Sequence, residues 1–228
     1  MYDRMQTLTQ EQMNKIHGAA MEILQTTGIA FNENEALEIF KSHGFKIDGK
    51  KVFFTEEQIR KAVDSAPSRF TVTARNPEKS VKIGEEDFVF VPGYGAPFIA
   101  KPNGEQREAT MEDYDNFCKL VQTSKFMDMN GFMMVEPSDV PPETAYLDML
   151  FSSIVLSDKP FMGSPVSKQG ARECVEMASI VWGGEEQLKK VGPVTVSLIN
   201  SLSPLQFSDE MAGSLIELAR ATQACVVA

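Results

Sequence analysis

The apolar positions of the N-terminal part of the chain predict three helices and a set of short strands. Apolar residues repeat at helical spacing after Thr9, Asn32 and Thr55, and residues of these types favour a helix start. An Asp-Gly pair between short apolar arms predicts a hairpin over residues 46–54. Further strand-like pieces lie at residues 70–74, 81–83, 88–91 and 97–100. The pattern as a whole predicts an irregular α+β region.

After Thr110 the apolar pattern changes to a regular alternation of strands and helices. Thr110 and Asp113 form a capping pattern for the first helix of this part. Strands are predicted over residues 127–135, 160–164, 194–199 and 224–228, and helices over residues 142–156, 168–182 and 208–222. Such alternation indicates right-handed βαβ units and a parallel sheet, either half of a (β/α)8 barrel or a doubly wound sheet.

The last predicted strand coincides with the last residues of the sequence. Residues 223–228 form an apolar segment that is followed by neither a closing helix nor a polar tail. A strand in that position exposes unpaired backbone groups. We therefore expect the chain to be a fragment truncated at its fourth parallel strand. We also expect the isolated 228-residue chain to be unstable or to self-associate.

Composition and charge exclude several classes of protein. The 228 residues include 22 Lys and Arg against 32 Asp and Glu, which gives a formal net charge of −10, and 43% are hydrophobic. These values are typical of globular proteins and argue against disorder. The acidic balance and the lack of a long Lys/Arg run argue against nucleic acid as a partner. The sequence shows no signal peptide and no apolar stretch of the ~18 residues that cross a bilayer, which favours a cytoplasmic location.

Cysteine and histidine are too few and too dispersed for the usual catalytic or metal sites. Cys118, Cys174 and Cys225 form no CxxC pair, and the two histidines are His17 and His43. This distribution argues against a His-based triad and against a metal centre. The cysteines are predicted to be small buried hydrophobes, and a catalytic thiol is the alternative.

Small and amide side chains follow the predicted parallel strands. They are Asn130, Gly163, Ser164, Asn200 and Ser203. Because ligands of parallel α/β folds bind at the carboxyl ends of the strands, these residues are predicted to line a pocket through shape and hydrogen bonding. The groups that proton transfer requires do not occur there. The nearby acids are predicted to be solvated or to cap helices; they are Glu136, Asp139 and Asp158.

A glycine-rich loop and a cluster of Met and Phe are the other unusual features. Gly93, Tyr94 and Gly95 lie between prolines, a pattern that fits a tight turn or a ligand-binding loop, without the third glycine of a dinucleotide fingerprint. The Met and Phe residues over 126–134 predict core or, alternatively, an apolar pocket wall. Tyr94, Phe98 and Phe132 are the candidates to bind a quaternary ammonium group through cation–π attraction.

Six segments, in order along the chain, resemble one known family. They are residues 9–28, with Ile-His-Gly-Ala-Ala-Met-Glu-Ile-Leu, then 66–70, 92–98 with Pro-Gly-Tyr-Gly-Ala-Pro-Phe, 141–150, 158–164 with Asp-Lys-Pro-Phe-Met-Gly-Ser, and 198–205 with Leu-Ile-Asn-Ser-Leu-Ser-Pro-Leu. With these segments the chain resembles the N-terminal half of the trimethylamine:corrinoid methyltransferase family. Some members of that family contain pyrrolysine, and glycine betaine-type relatives lack it. The position of the pyrrolysine lies outside this sequence.

The resemblance implies a fold and an activity. The fold class is then α/β, with an N-terminal α+β region at residues 1–109 and the first four βα units of a truncated (β/α)8 TIM barrel at residues 110–228. The implied enzyme is cytoplasmic and moves a methyl group from a methylated amine or betaine to the Co(I) corrinoid of a partner protein. No cofactor is expected on the chain itself, and a homo-oligomer is compatible with the resemblance.

Two other functions are kept as alternatives. One is a non-catalytic amine- or betaine-binding or scaffold protein with the same fold, and the other is a barrel lyase or hydrolase whose acids and bases lie beyond residue 228. In the leading interpretation the isolated chain is inactive. The loop at residues 93–97 and the strand ends then line the substrate pocket.

Overall fold

A computed structural model describes residues 7–227. The chain divides into two compact units. One contains the residues up to Pro67 together with Ser201–Asp209, and the other contains Ser68–Asn200 and the residues from Glu210 onward. The division into regions 1–109 and 110–228 that the sequence suggested stays a prediction.

The described residues form helices and strands in mixed order. The helices are α1 (Gln10–Thr26), α2 (Asn34–Ser42), α3 (Glu56–Ser65), α4 (Met111–Thr123), α5 (Ala145–Leu156), α6 (Lys168–Trp182), α7 (Glu185–Val191) and α8 (Asp209–Arg220). The strands are β1 (Ile29–Phe31), β2 (Lys46–Asp48), β3 (Lys51–Phe53), β4 (Arg69–Val72), β5 (Val81–Gly84), β6 (Phe98–Ala100), β7 (Gln106–Glu108), β8 (Phe161–Met162), β9 (Thr195–Ile199), β10 (Gln206–Phe207) and β11 (Ala224–Val227).

Capping side chains begin the helices of the first unit. Thr9 and Thr55 both form the predicted capping boxes. Each threonine hydroxyl accepts a hydrogen bond from the backbone N–H of the glutamine three residues later, and the side chain of that glutamine accepts one from the backbone N–H of the threonine. The predicted start of α2 at Asn32 is wrong, because Glu33 Oε2 accepts from Ala36 N at 2.7 Å. The Asn32 amide instead contacts Phe207 O and Lys50 Nζ, which ties it to the neighbouring strands.

A four-stranded sheet in the order β10-β1-β3-β2 organises the first unit. β2 and β3 form the predicted antiparallel hairpin, with Asp48 opposite Lys51. β10, which the sequence pattern does not predict, lies parallel to β1. Aromatic rings pack against this sheet in mutual stacked and edge contacts; they belong to Phe31, Phe40, Phe45, Phe54 and Phe207.

The second unit contains a parallel sheet in the order β11-β9-β8. Pairing of Phe161 with Thr195 and of Ala224 with Val196 places β9 in the middle. Helix α6 has the predicted bounds, and β8, β9 and β11 lie within the predicted segments, although Ala228 lies outside the described residues. The alternation of strands and helices confirms the mixed α/β character of this part. Two antiparallel pairs, β4-β5 and β6-β7, precede it.

Two predicted strands are wrong, those over residues 127–135 and 88–91. In the structure they are irregular segments that lie beside each other, with Asp128 N donating to Phe90 O at 2.9 Å. Asn130 alone forms a parallel bridge to Phe161 of β8. Residues 129–132 are all buried, as are Met134 and Val135, so the segment lacks the alternation of buried and exposed positions that a strand with one solvent face shows. Helix α5 begins at Ala145 rather than at residue 142, and α7 and β7 are not predicted.

Large apolar side chains form the core of the second unit. Its most buried members include Tyr114, Phe132, Phe161, Met129 and Leu150. The Met and Phe residues after residue 126 therefore contribute mainly to the core, as predicted, and Phe132 is only 1% exposed. Among the described residues, no helix is both long and apolar enough to cross a membrane.

Candidate active site at the carboxyl edge of the parallel sheet

Three of the predicted strand ends lie on neighbouring chain segments. Met162 N donates to Asn130 O at 2.9 Å, and Gly163 N donates to Val196 O at 2.9 Å. These bonds place Asn130, the Gly163-Ser164 pair and Asn200 at the same edge of a parallel arrangement, where the strands end. Asn130, Gly163 and Ser164 are buried, whereas Asn200 is exposed.

Ser203 belongs to the other compact unit. It is exposed and precedes Pro204 through a cis peptide bond. Together with Leu202, Leu205 and Phe207 it lines a cavity of that unit. That Ser203 shares a pocket with the strand ends of the second unit stays a prediction.

Two of the strand-end residues, Asn130 and Ser164, form a buried polar layer together with Thr195 and Ser197 of β9. All four residues are 0% exposed, and the polar side-chain atoms of all four have no hydrogen-bond partner in the described structure. The Cys118 thiol lies beside Asn130, but a thiol is a weak partner and leaves both amide atoms without a hydrogen bond.

Gly163 is required by this polar layer. A Cβ at that position would lie 2.5 Å from Ser197 Oγ, 2.8 Å from Thr195 Oγ1 and 3.3 Å from Cys174 Sγ. The hydroxyls of β9 therefore occupy the space that a side chain on β8 would need. The contact with Cys174 shows that helix α6 covers this group. Thr195 and Ser197 were not among the residues predicted from the sequence, although hydroxyl residues at alternate positions of an apolar strand were the available signal.

The predicted glycine loop lies against the chain that follows Asn130. Gly95 has φ +70° and donates its N–H to Met133 O at 2.6 Å, while Glu136 N donates to Ala96 O at 3.0 Å. Gly93 and Tyr94 are exposed. Burial of the hydroxyl end raises the pKa of Tyr94, and the nearby Cys174 raises it further, so this phenol stays protonated. The loop is thus brought to the carboxyl edge of the sheet.

A cavity of about 470 Å³ opens beside this loop. We call it the Phe98 cavity. Its walls come from the end of the glycine loop, the chain after Asn130, the start of α5 and the loop after β8; the lining residues include Pro97, Phe98, Glu108, Met133, Glu136, Pro142, Tyr146, Met149 and Val166. Glu136 lines this open cavity and is itself exposed, so the solvated role expected for it is compatible with the structure. None of the described lining residues is basic.

The Tyr146 side chain is fixed by a neighbouring helix. Its hydroxyl donates to Glu173 of α6, and Gln169 Nε2 donates to the other oxygen of Glu173 at 2.8 Å. Mainly through the hydrogen bond to Glu173, the pKa of Tyr146 is raised to about 12. Gln169 and then Tyr146 lower the pKa of Glu173. At neutral pH the pair is a phenol bound to a carboxylate, which holds the ring in the cavity wall.

The cysteines are poor candidates for a nucleophile. Cys118 and Cys174 are buried and Cys225 is half-buried. Desolvation raises the pKa of Cys174 and of Cys225, each to about 11, and also raises that of Cys118. These thiols stay protonated at neutral pH. Within residues 7–227 no group of three or more His, Cys, Asp or Glu side chains is arranged to hold a metal ion.

This arrangement binds and orients better than it transfers protons. The cavity offers apolar and aromatic surface with two carboxylates, and the strand ends offer small uncharged groups. An apolar cavity with few polar groups at the carboxyl edge of a parallel sheet is a typical small-molecule site. Its negative charge and aromatic rings favour a cationic ligand.

Comparisons with known proteins find methyltransferases that match nearly the whole chain. Over residues 1–228 the chain matches the family described as Trimethylamine methyltransferase (MTTB). It is 48% identical over 221 residues to a glycine betaine methyltransferase of Desulfitobacterium hafniense, covering 97% of this chain and 46% of that protein. It is 29% identical to a proline betaine:corrinoid methyltransferase of Eubacterium limosum, covering 89% of this chain and 43% of that protein.

The fold also resembles that of a solved structure. The monomethylamine methyltransferase of Methanosarcina barkeri superposes with a TM-score of 0.60 at 11% identity, covering 96% of this chain and 45% of that one. The chain thus spans about half the length of the relatives that it matches. Since the family match extends over the whole sequence, the chain belongs to the trimethylamine methyltransferase (MTTB) family.

Proposed function

We propose that the chain forms the N-terminal half of an enzyme that moves a methyl group from a methylated amine or betaine to the Co(I) corrinoid of a partner protein. The observation that carries this proposal is the 48% identity, along 97% of the chain, to a glycine betaine methyltransferase. The name of the proline betaine relative supports a corrinoid as the methyl acceptor. The corrinoid would be a substrate that the partner protein holds.

The fold proposed for the complete enzyme is a (β/α)8 barrel. The bridge at Asn130 and strands β8, β9 and β11 would be four successive barrel positions, with region 1–109 as the N-terminal addition. The similarity to the monomethylamine methyltransferase structure supports this arrangement. In it, the exposed edge of β11 pairs with the following strand of the barrel.

The chemistry suits the side chains of this chain. A Co(I) corrinoid supplies the nucleophile, and a methyl group on a quaternary nitrogen leaves behind a neutral amine, so no residue has to protonate the leaving group. The protein has to bind the ammonium group, orient its C–N bond and exclude water. The loop residues Gly93, Tyr94 and Gly95 and the strand ends would provide shape and hydrogen bonding. Open space beside Gly93 would leave room for the acceptor protein.

Methyl transfer by the complete gene product tests the proposal. The protein is mixed with a Co(I) corrinoid protein and with glycine betaine, proline betaine, L-carnitine or trimethylamine, and the corrinoid absorbance is followed. We expect one of these donors to convert Co(I) to methylated corrinoid. Retention of Co(I) with all four donors would contradict the proposal. Binding of a donor without transfer would favour the non-catalytic amine-binding alternative.

A further inference from the structure

The Phe98 cavity has a charge and shape that suit one end of a methylated amine. Phe98 is 54% exposed and lines the cavity, while the hydroxyl of Tyr146 is hydrogen-bonded to Glu173. The face of an aromatic ring attracts a cation, and more so when the ring is held in place. The two rings thus provide surface for the methyl groups of an ammonium ion.

Two carboxylates complete the cavity wall. Glu108 and Glu136 both line it, and neither side chain forms an ion pair or hydrogen bond with another described residue. Glu136 lies close to the glycine loop, with Oε1 3.4 Å from the position of a Cβ on Gly95. Their charges therefore remain available to a ligand. Because the described lining contains no Lys, Arg or His, the cavity attracts cations and repels anions.

We infer that the Phe98 cavity binds the quaternary ammonium group of the methyl donor, with Phe98 and Tyr146 contacting the methyl groups and Glu108 and Glu136 selecting the positive charge. This inference rests on the proposed function and assigns residues to it. A carboxylate on a betaine would point away from Glu108 and Glu136, toward a part of the site outside this cavity.

Binding of two matched probes tests this assignment. Choline and its uncharged carbon analogue, 3,3-dimethylbutan-1-ol, have nearly the same shape and differ in the charge of the central atom. Their affinities are measured by calorimetry for the complete gene product. We expect choline to bind more tightly than the analogue, and added NaCl to weaken choline alone, because salt screens the carboxylates.

Variants assign the effect to single side chains. Glu136→Gln and Glu108→Gln are each expected to weaken choline binding about two- to fivefold and to leave the neutral analogue unchanged. Phe98→Leu is expected to weaken choline about two- to fivefold. Glu185→Gln, which removes an exposed carboxylate on α7, is the matched control and should change neither affinity.

Tyr146→Phe separates a positioning effect from direct contact. It keeps the ring and removes the hydrogen bond to Glu173, so a small loss of choline affinity with unchanged selectivity over the analogue is expected. Equal affinity for the two probes, or unchanged choline binding in Glu108→Gln/Glu136→Gln, would overturn the assignment. If methyl transfer is observed but binding does not depend on charge, the proposed function holds and the cavity assignment is wrong. If binding depends on charge but no methyl transfer occurs, the proposed function is wrong and the cavity still binds a cation.

Discussion

The buried polar layer and the Phe98 cavity lie at the same edge of the second unit but differ in access. Asn130, Ser164, Thr195 and Ser197 are fully buried, and α6 covers part of the group. The cavity is open and its walls come mainly from loops and from the start of α5. Position at a strand end therefore does not by itself make a side chain available to a ligand. What the helices and loops leave uncovered decides which residues a substrate meets.

The largest effect on stability is expected at Gly163, where the polar layer is most tightly packed. Gly163→Ala would place a Cβ 2.5 Å from Ser197 Oγ and 2.8 Å from Thr195 Oγ1, so these side chains or the strands that carry them must shift. We expect the free energy of unfolding to fall by about 1–3 kcal/mol, measured by denaturant titration. Gly93→Ala is the control, because no atom lies within 4 Å of its added methyl group. Equal stability of the two variants would show that the polar layer has room for the added methyl group.

A smaller effect of opposite sign is expected from the unpaired hydroxyls. Thr195→Val keeps the side-chain shape and removes a buried oxygen that has no hydrogen-bond partner. We expect the free energy of unfolding to rise by about 1 kcal/mol. Ser214→Ala removes a buried hydroxyl that does donate, to Pro165 O at 3.1 Å, and should lower it by about 1 kcal/mol. A loss of stability in Thr195→Val would instead indicate that the hydroxyl is hydrated inside the protein.

At the opposite end of the sheet, Asp158 is expected to make the stability of the protein depend on pH. Asp158, just before β8, contacts Lys79, Gln122 and Asn76, and these contacts lower its pKa to about 2. A carboxyl group whose pKa is lower in the folded state stabilises the protein above its ordinary pKa of about 3.8, and that contribution disappears as pH falls toward 2. Melting temperature measured from pH 5 to pH 2 should fall less steeply for Asp158→Asn than for the parent chain. Parallel curves would contradict this role.

The smallest effect on stability is expected in the cavity. Phe98 is 54% exposed, so Phe98→Leu should change the free energy of unfolding by less than about 0.5 kcal/mol. The same variant is expected to weaken choline binding, which separates recognition from folding. A stability loss as large as that of Gly163→Ala would mean that the Phe98 ring stabilises the fold. The cavity and the buried polar layer would then not differ in their contribution to stability.

Local sequence signals predicted much of the secondary structure. The capping boxes at Thr9 and Thr55, the bounds of α6 and the parallel strands depend on neighbouring residues and on regular apolar spacing. The segment after residue 126 was misassigned because its apolar density fits a strand, a core segment or a pocket wall equally well. Its backbone partners lie in other segments, near Phe90, at Gly95 and at the start of β8, and no local pattern identifies them.

The candidate site was only partly visible in the sequence. The glycine loop and the strand ends at Asn130, Gly163 and Ser164 were singled out, and the structure places them at one edge of the second unit. Thr195, Ser197 and Tyr146 were not singled out. Their contacts with Gly163 and with Glu173 join residues that are distant in sequence, so spacing along the chain gave no indication of them.

The sequence by itself determined the family, the alternation of strands and helices in the second unit, and the small uncharged residues at the strand ends. Tertiary structure alone decided which of these residues are covered and which side chains line the open cavity. The physical reason is that capping and periodicity act over a few residues. Burial and a cavity arise where separate segments pack, and Phe98, Glu136 and Tyr146 come together only in the folded chain.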